Sequence, residues 1–192
     1  MVIIAGGLLL GLLLAIASFS RFVPSPSAPV VENSVTQLAQ NLKSATQVPL
    51  ALPSQVPAAQ TYYSSIAEVQ SDRYWVNLDV DRDCLGVANC NLGAVSGEVA
   101  SLQTIDEQYG NLEGFSPPLK STNLDQTVTL AQGIQGRFIP YVCGASCSTS
   151  KLVWGQDGYR YLVSLQARVV PDDQEVQALI TMANSAIANR QP

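Results

Sequence analysis

The sequence predicts an α+β domain in which an antiparallel sheet carries a carboxy-terminal helix. Three observations predict it. Residues 74–81 alternate apolar and polar side chains, as a half-buried strand does. Gln156-Asp157-Gly158 separates two further strand-like runs with turn chemistry. After Pro171, apolar residues recur at helical spacing to the end of the chain. Ahead of this domain, from residue 61 to 192, the sequence reads as an apolar helix (residues 1–20) and a proline-rich stalk (residues 21–60).

Residues 2–17 carry no polar side chain, and Ser18 and Phe19 extend the run. A membrane-spanning helix needs about 20 mostly apolar residues, with roughly 17 tolerated. The run reads as an anchor. The alternative is a secretory signal, because Ala15-Ile16-Ala17 fits small-x-small cleavage before Ser18. No cysteine follows the run to accept a lipid. Gly7, Gly11 and Ala15 lie four apart, so they share one helix face on which two helices in a membrane could approach closely. Glycine is frequent in such spans in any case.

The stalk follows from its prolines. Pro24, Pro26 and Pro29, then Pro49, Pro53 and Pro57, predict an extended, semi-rigid spacer. Between them Val35, Leu38, Leu42 and Ala45 predict a short helix over residues 34–46, capped by Asn33 or Ser34. Its apolar seam is also a candidate contact with a second copy of the chain.

Within the domain, Tyr74, Val76, Leu78 and Val80 predict the buried face of the first strand, with Asn77, Asp79 and Asp81 opposite. Val99, Leu102, Ile105 and Tyr109 predict a helix over residues 96–109, ended by Pro117-Pro118. Strands are predicted at 127–130, 136–143, 151–154 and 159–168, with Pro140 marking an edge or a bulge. The last helix reads as capped by Asp172 with Glu175 three residues on, an Asp form of the capping box. Val176, Leu179, Ile180, Ala183 and Ile187 form its apolar stripe, and Arg190 suits the negative end of its dipole.

Composition removes several functions. The chain has 192 residues, no histidine, and fifteen acids against ten bases, for a net charge of −5. Without histidine there is no Ser-His-Asp triad and no His-ligated metal. An acidic chain lacks the basic footprint of a nucleic-acid partner. No cofactor is expected.

The four cysteines form two clusters, Cys84 with Cys90 and Cys143 with Cys147. Four cysteines allow three pairings, and spacing alone does not choose. Pairing within each cluster is the preferred reading, because both lie in Gly- or Asn-containing loops at strand ends. An even, clustered set behind a membrane signal suits an oxidising compartment. The spacings C-x5-C and C-x3-C fit neither zinc knuckles nor a C-x-x-C redox motif.

Asp79, Asp81 and Asp83 resemble the opening of a calcium loop, with Cys84 in place of its glycine and Cys90 in place of its bidentate Glu. A solvated strand face is the simpler reading. Ser148-Thr-Ser-Lys151 has the S-x-x-K spacing of serine acyl-transfer enzymes without their further motifs. Lys120-Ser121 has Leu119 where a phosphate loop ends in glycine. Arg160 and Arg168 give one strand face basic character, read as solvation, with anionic lipid or an acidic partner as the sharper reading.

Lys151-Leu-Val-Trp154, Gly158-Tyr-Arg-Tyr161 and Ala183-Asn-Ser185-Ala-Ile187 resemble the ending of bacterial membrane-anchored envelope domains of unknown function. The resemblance covers about forty residues. It implies an extracytoplasmic sheet-and-helix domain and carries no catalytic residue across.

The expected function is therefore a non-enzymatic envelope protein, anchored with its domain facing the periplasm or another extracytoplasmic space, or secreted after cleavage before Ser18. Its domain would act as a binding module, with the membrane as one partner and a protein or a second copy as another. Two alternatives stand beside it: a thiol-disulfide protein using Cys143 and Cys147, and an auxiliary subunit of a membrane complex.

Overall fold

The computed structural model describes residues 35–57, 59, 61–109, 119–120, 125–167 and 169–192, all within a unit spanning Val31–Pro192. The apolar run with Gly7, Gly11 and Ala15, and the stalk as far as Ser34, lie outside the described residues. Among the described residues no helix is long and apolar enough to cross a membrane.

The architecture is α+β. Seven antiparallel strands make one sheet in the order β1-β2-β3-β9-β8-β6-β5. These are β1 (Tyr63–Gln70), β2 (Arg73–Asp79), β3 (Asn91–Val99), β5 (Gln126–Thr129), β6 (Gln135–Ile139), β8 (Thr149–Gln156) and β9 (Tyr159–Gln166). Two short strands, β4 (Leu119–Lys120) and β7 (Val142–Cys143), pair separately. The helices are α1 (Val35–Lys43), α2 (Ile105–Tyr109) and α3 (Asp172–Ala188).

Register aligns the core. Val76, Val95, Val163, Leu152 and Phe138 form one row across five strands, and all are buried. The adjacent row runs Tyr74, Gly97, Tyr161, Trp154 and Gly136. Residues of α3 and α1 cover these rows, with Leu179, Met182, Ala183, Ala186 and Leu42 in the same cluster. On the other face Ile139, Val153 and Leu162 pack against Ile105 and Tyr109 of α2. The central strands are thus buried on both sides.

The hairpin predicted at Gln156-Asp157-Gly158 closes as Gln156↔Tyr159, with Asp157 at φ 53° and Gly158 at φ 80°. Two positive φ values are what a two-residue type I′ turn requires. Pro140 lies just past β6, an interior strand, and separates it from β7 rather than marking an edge.

Three expectations change. Residues 35–57 are not a spacer: Leu42, Val48, Leu50, Ala51, Leu52 and Val56 are buried in the main core. Pro49 and Pro53 hold this segment extended, and Leu50 bridges to Gln191 beside the end of α3. The folded unit therefore begins well before residue 61. Residues 91–99 form β3 rather than the start of a helix, because β2 and β9 both offer it a hydrogen-bonding edge. The helix shrinks to α2, where Thr104 and Glu107 make a reciprocal capping box.

The capping box expected on α3 is the third. No side chain caps α3 at Pro171. Glu175 is buried and accepts a hydrogen bond from Ser150 Oγ of β8, while Asp172 accepts from Tyr141 Oη at 3.1 Å. Both acids tie the helix to the sheet instead of closing its first turn.

Candidate functional site

Pairing fixes the two ends of the sheet. Tyr63 pairs with Asp79, Asp79 with Asn91, and Thr149 with Gln166, so these five strands have ends on the same side of the sheet. The Gln166 side chain donates to Asn91 Oδ1 at 3.2 Å and joins β9 to β3 there. Both cysteine loops sit at this end: residues 80–90 connect β2 to β3, and residues 144–148 lead into β8. Cys84 is bonded to Cys90 and Cys143 to Cys147, and no described cysteine is free.

The first loop is built on Asp79. A register shift after Leu78 leaves Leu92 without a partner, as in a β-bulge. Asp79 is thereby buried, 1% exposed, at the end of its strand. Its carboxylate accepts from Asn91 Nδ2 at 2.8 Å, Ser65 Oγ at 3.3 Å and the Gly86 N–H at 3.3 Å. The last bond pins the middle of the disulfide ring to the sheet. Gly86 has φ +82°, and a Cβ there would lie 2.5 Å from Asn77 Nδ2, so a larger residue would be strained and would displace that side chain.

The tip of the ring is apolar. Leu85 is 69% exposed and Val87 60% exposed, and Val80, whose N–H donates to the Cys90 carbonyl at the base of the ring, is half exposed. Leu85 also has φ 50°. The left-handed region suits Gly, Asn and Asp, and a bulky residue there is an outlier. Asp81 and Asp83 flank the tip, with the Asp83 N–H donating to Asp81 Oδ1 at 2.9 Å. Arg82 lies over the Tyr63 ring, 5.9 Å from its centroid.

The three aspartates expected on one strand face are therefore split. Asp79 is a buried joint, while β2 ends there and Asp81 and Asp83 are exposed in the loop. Among the described residues no group of three or more Cys, Asp or Glu is placed to hold a metal ion. Ser148 and Lys151 do not meet as a nucleophile and base. Ser148 Oγ accepts from the Val142 N–H, and Lys151 Nζ donates to the Thr149 carbonyl. Burial holds the Lys151 ammonium below its usual pKa. Cys147 leads into strand β8, not into a helix.

Arg160 is not part of a solvated basic face. It is 7% exposed and donates to Gln108 Oε1, the Gln103 carbonyl and Ser101 Oγ, closing the segment before α2 onto β9. Arg168 lies outside the described residues, and of Lys120 only its place in β4 is described.

At the opposite end of the sheet a shallow cleft of about 410 Å³ lies between Gln132, Gln156, Ile187 and Arg190. Arg190 Nε donates to Tyr161 Oη at 3.1 Å, and its guanidinium pairs with Asp157 across the hairpin turn. Arg190 therefore serves the β8–β9 turn as well as the end of α3.

Leu85 and Val87 are the candidate contact residues that sequence reasoning passed over. The signal was present: apolar residues inside a ring closed by Cys84 and Cys90 have too little chain to fold back onto the core. No protein-family model, curated protein or solved structure matches the chain.

Proposed function

We propose that the chain is a non-enzymatic envelope protein whose α+β domain is an interaction module in an oxidising, extracytoplasmic space. Residues 2–17 hold it at a membrane, or are removed before Ser18. The observation that carries the reading is the Cys84–Cys90 ring, which presents Leu85 and Val87 to solvent. Leu85 works against the fold twice, by its left-handed backbone and by its exposed side chain. Such strain points to a role outside the folded unit.

Two measurements test this. Alkylation of the denatured, non-reduced protein taken from cells is expected to find no free thiol; four free thiols would place it in a reducing compartment and overturn the reading. Leu85→Asn relieves the backbone strain and is expected to raise stability by up to about 1 kcal/mol. A loss of stability would show that Leu85 serves the fold, and the ring would cease to be a contact site.

A further inference from the structure

We propose that the tip of the Cys84–Cys90 ring docks on a lipid bilayer, seating Leu85 and Val87 among the headgroups and upper acyl chains. The inference rests on the reading of residues 2–17 as a retained anchor, and adds which end of the domain meets the membrane.

The path of the chain picks out that end. Leu38, midway along α1, lines a small cavity with Tyr62, Ser64, Val76, Leu78 and Val95, which spans the half of the sheet nearer the disulfide loops. The other end of α1 lies by the β1–β2 turn, where the Gln47 N–H donates to the Ser71 carbonyl at 2.9 Å. So α1 starts at the disulfide end, and the chain coming from residues 2–17 enters the domain there. Only residues 18–34 intervene, which at about 3.3–3.6 Å per residue reach at most about 60 Å. A tether of that length keeps the ring at high effective concentration beside the bilayer, so a small apolar contact suffices.

The ring suits such a contact. The disulfide and the Gly86–Asp79 hydrogen bond fix its shape beforehand, which lowers the ordering cost of docking. Two aliphatic side chains at its tip match the shallow burial typical of interfacial binding. Charge selects the lipid. The exposed Asp81 and Asp83 outweigh Arg82, so the tip favours a zwitterionic surface and is repelled by an anionic one.

The test uses the full chain with phosphatidylcholine vesicles carrying brominated acyl chains. Val87→Trp places a fluorophore at the exposed tip; Trp75 and Trp154 of the unsubstituted chain give the background. Val80→Trp, also exposed, serves if the first variant fails to fold. Expected are flotation with the vesicles and loss of the added emission to bromine quenching, weaker when phosphatidylglycerol is included. Flotation without quenching of the added emission overturns lipid docking alone and leaves the tip to a protein partner. Absence of flotation overturns the anchor reading and this inference with it. Equal or stronger quenching on phosphatidylglycerol overturns the orientation that brings Asp81 and Asp83 to the headgroups.

Discussion

Gly97 of β3 stands opposite Tyr74 of β2, and a Cβ at Gly97 would lie 2.6 Å from Tyr74 Cε1. The missing side chain lets the buried tyrosine ring cross the neighbouring strand. From there its hydroxyl reaches the 48–56 segment, where the Ala51 N–H donates to Tyr74 Oη at 3.0 Å. Burial pushes the Tyr74 phenol well above its usual pKa. Gly97→Ala is expected to cost about 1–3 kcal/mol through overpacking. Tyr74→Phe is expected to cost a further, separate amount of about 1–3 kcal/mol by leaving a buried N–H without a partner. Urea unfolding of the two variants and their combination checks both values; a neutral Gly97→Ala would remove the packing argument.

Asp79 joins three strands and a loop, so its replacement should act on stability rather than on ion binding. Asp79→Ala takes the acceptor from the Gly86 N–H and the Ser65 hydroxyl, while the Asn91 amide keeps the Leu78 and Gly93 carbonyls, and the change is expected to cost about 1–3 kcal/mol. Asp81→Ala and Asp83→Ala, in the exposed loop, are expected to change stability by less than about 0.5 kcal/mol. Thermal melts with and without calcium complete the check: a midpoint raised by calcium, and lost in any one of the three variants, would restore a shared site.

Each disulfide closes a small ring and should contribute modestly. For rings of this size the chain-entropy model gives roughly 2 kcal/mol each. In a unit of this length that corresponds to roughly 4–8 °C in the melting midpoint. Cys84→Ser/Cys90→Ser and Cys143→Ser/Cys147→Ser, melted separately and together, measure it. Near-additive losses are expected, since the rings close separate loops, one between β2 and β3 and the other before β8; failure to fold in either pair would show that the ring shapes the sheet end itself.

Tyr109 of α2 gives a signed pH dependence. Burial first, and then the nearby Glu98 charge, push its phenol up to about 12 from 10.0, with Arg160 opposing. Its hydroxyl donates to Glu98 Oε1 at 3.4 Å. A tyrosine pKa raised on folding means that the unfolded chain ionises first. The stabilisation is therefore complete below pH 10.0 and is lost as the pH rises through about 12. Tyr109→Phe is expected to flatten that part of the alkaline stability profile, measured by urea unfolding. An unchanged alkaline slope would count against the half-buried position of the phenol beside Glu98.

How much was legible in the residues varies with how local each feature is. The alternation from Tyr74 to Leu78 and the Asp157-Gly158 turn appear as written, and so does most of the α3 stripe, with Leu179, Ala183 and Ile187 buried and Val176 and Ile180 partly so, because each depends on neighbours within a few residues. The preferred cysteine pairs also close as expected, since near neighbours in a turn meet without help from the rest of the fold.

Glu175 shows the other case. Its spacing from Asp172 suits a capping box, yet Ser150, twenty-five positions away, offers a buried donor. Asp79 looks like the start of an acidic surface strip until the bulge at Leu92 turns it inward.

By itself the sequence determined the fold class, the strands flanking tight turns, the last helix and the acidic, histidine-free chemistry. Only the tertiary structure decided that residues 35–57 belong to the core, that residues 91–99 pair as a strand, and that both disulfides share one end with the start of α1. The physical reason is the range of the forces involved. Turn and helix preferences act over a few residues, whereas a buried acid, a central strand or an extended proline segment is fixed by partners far along the chain.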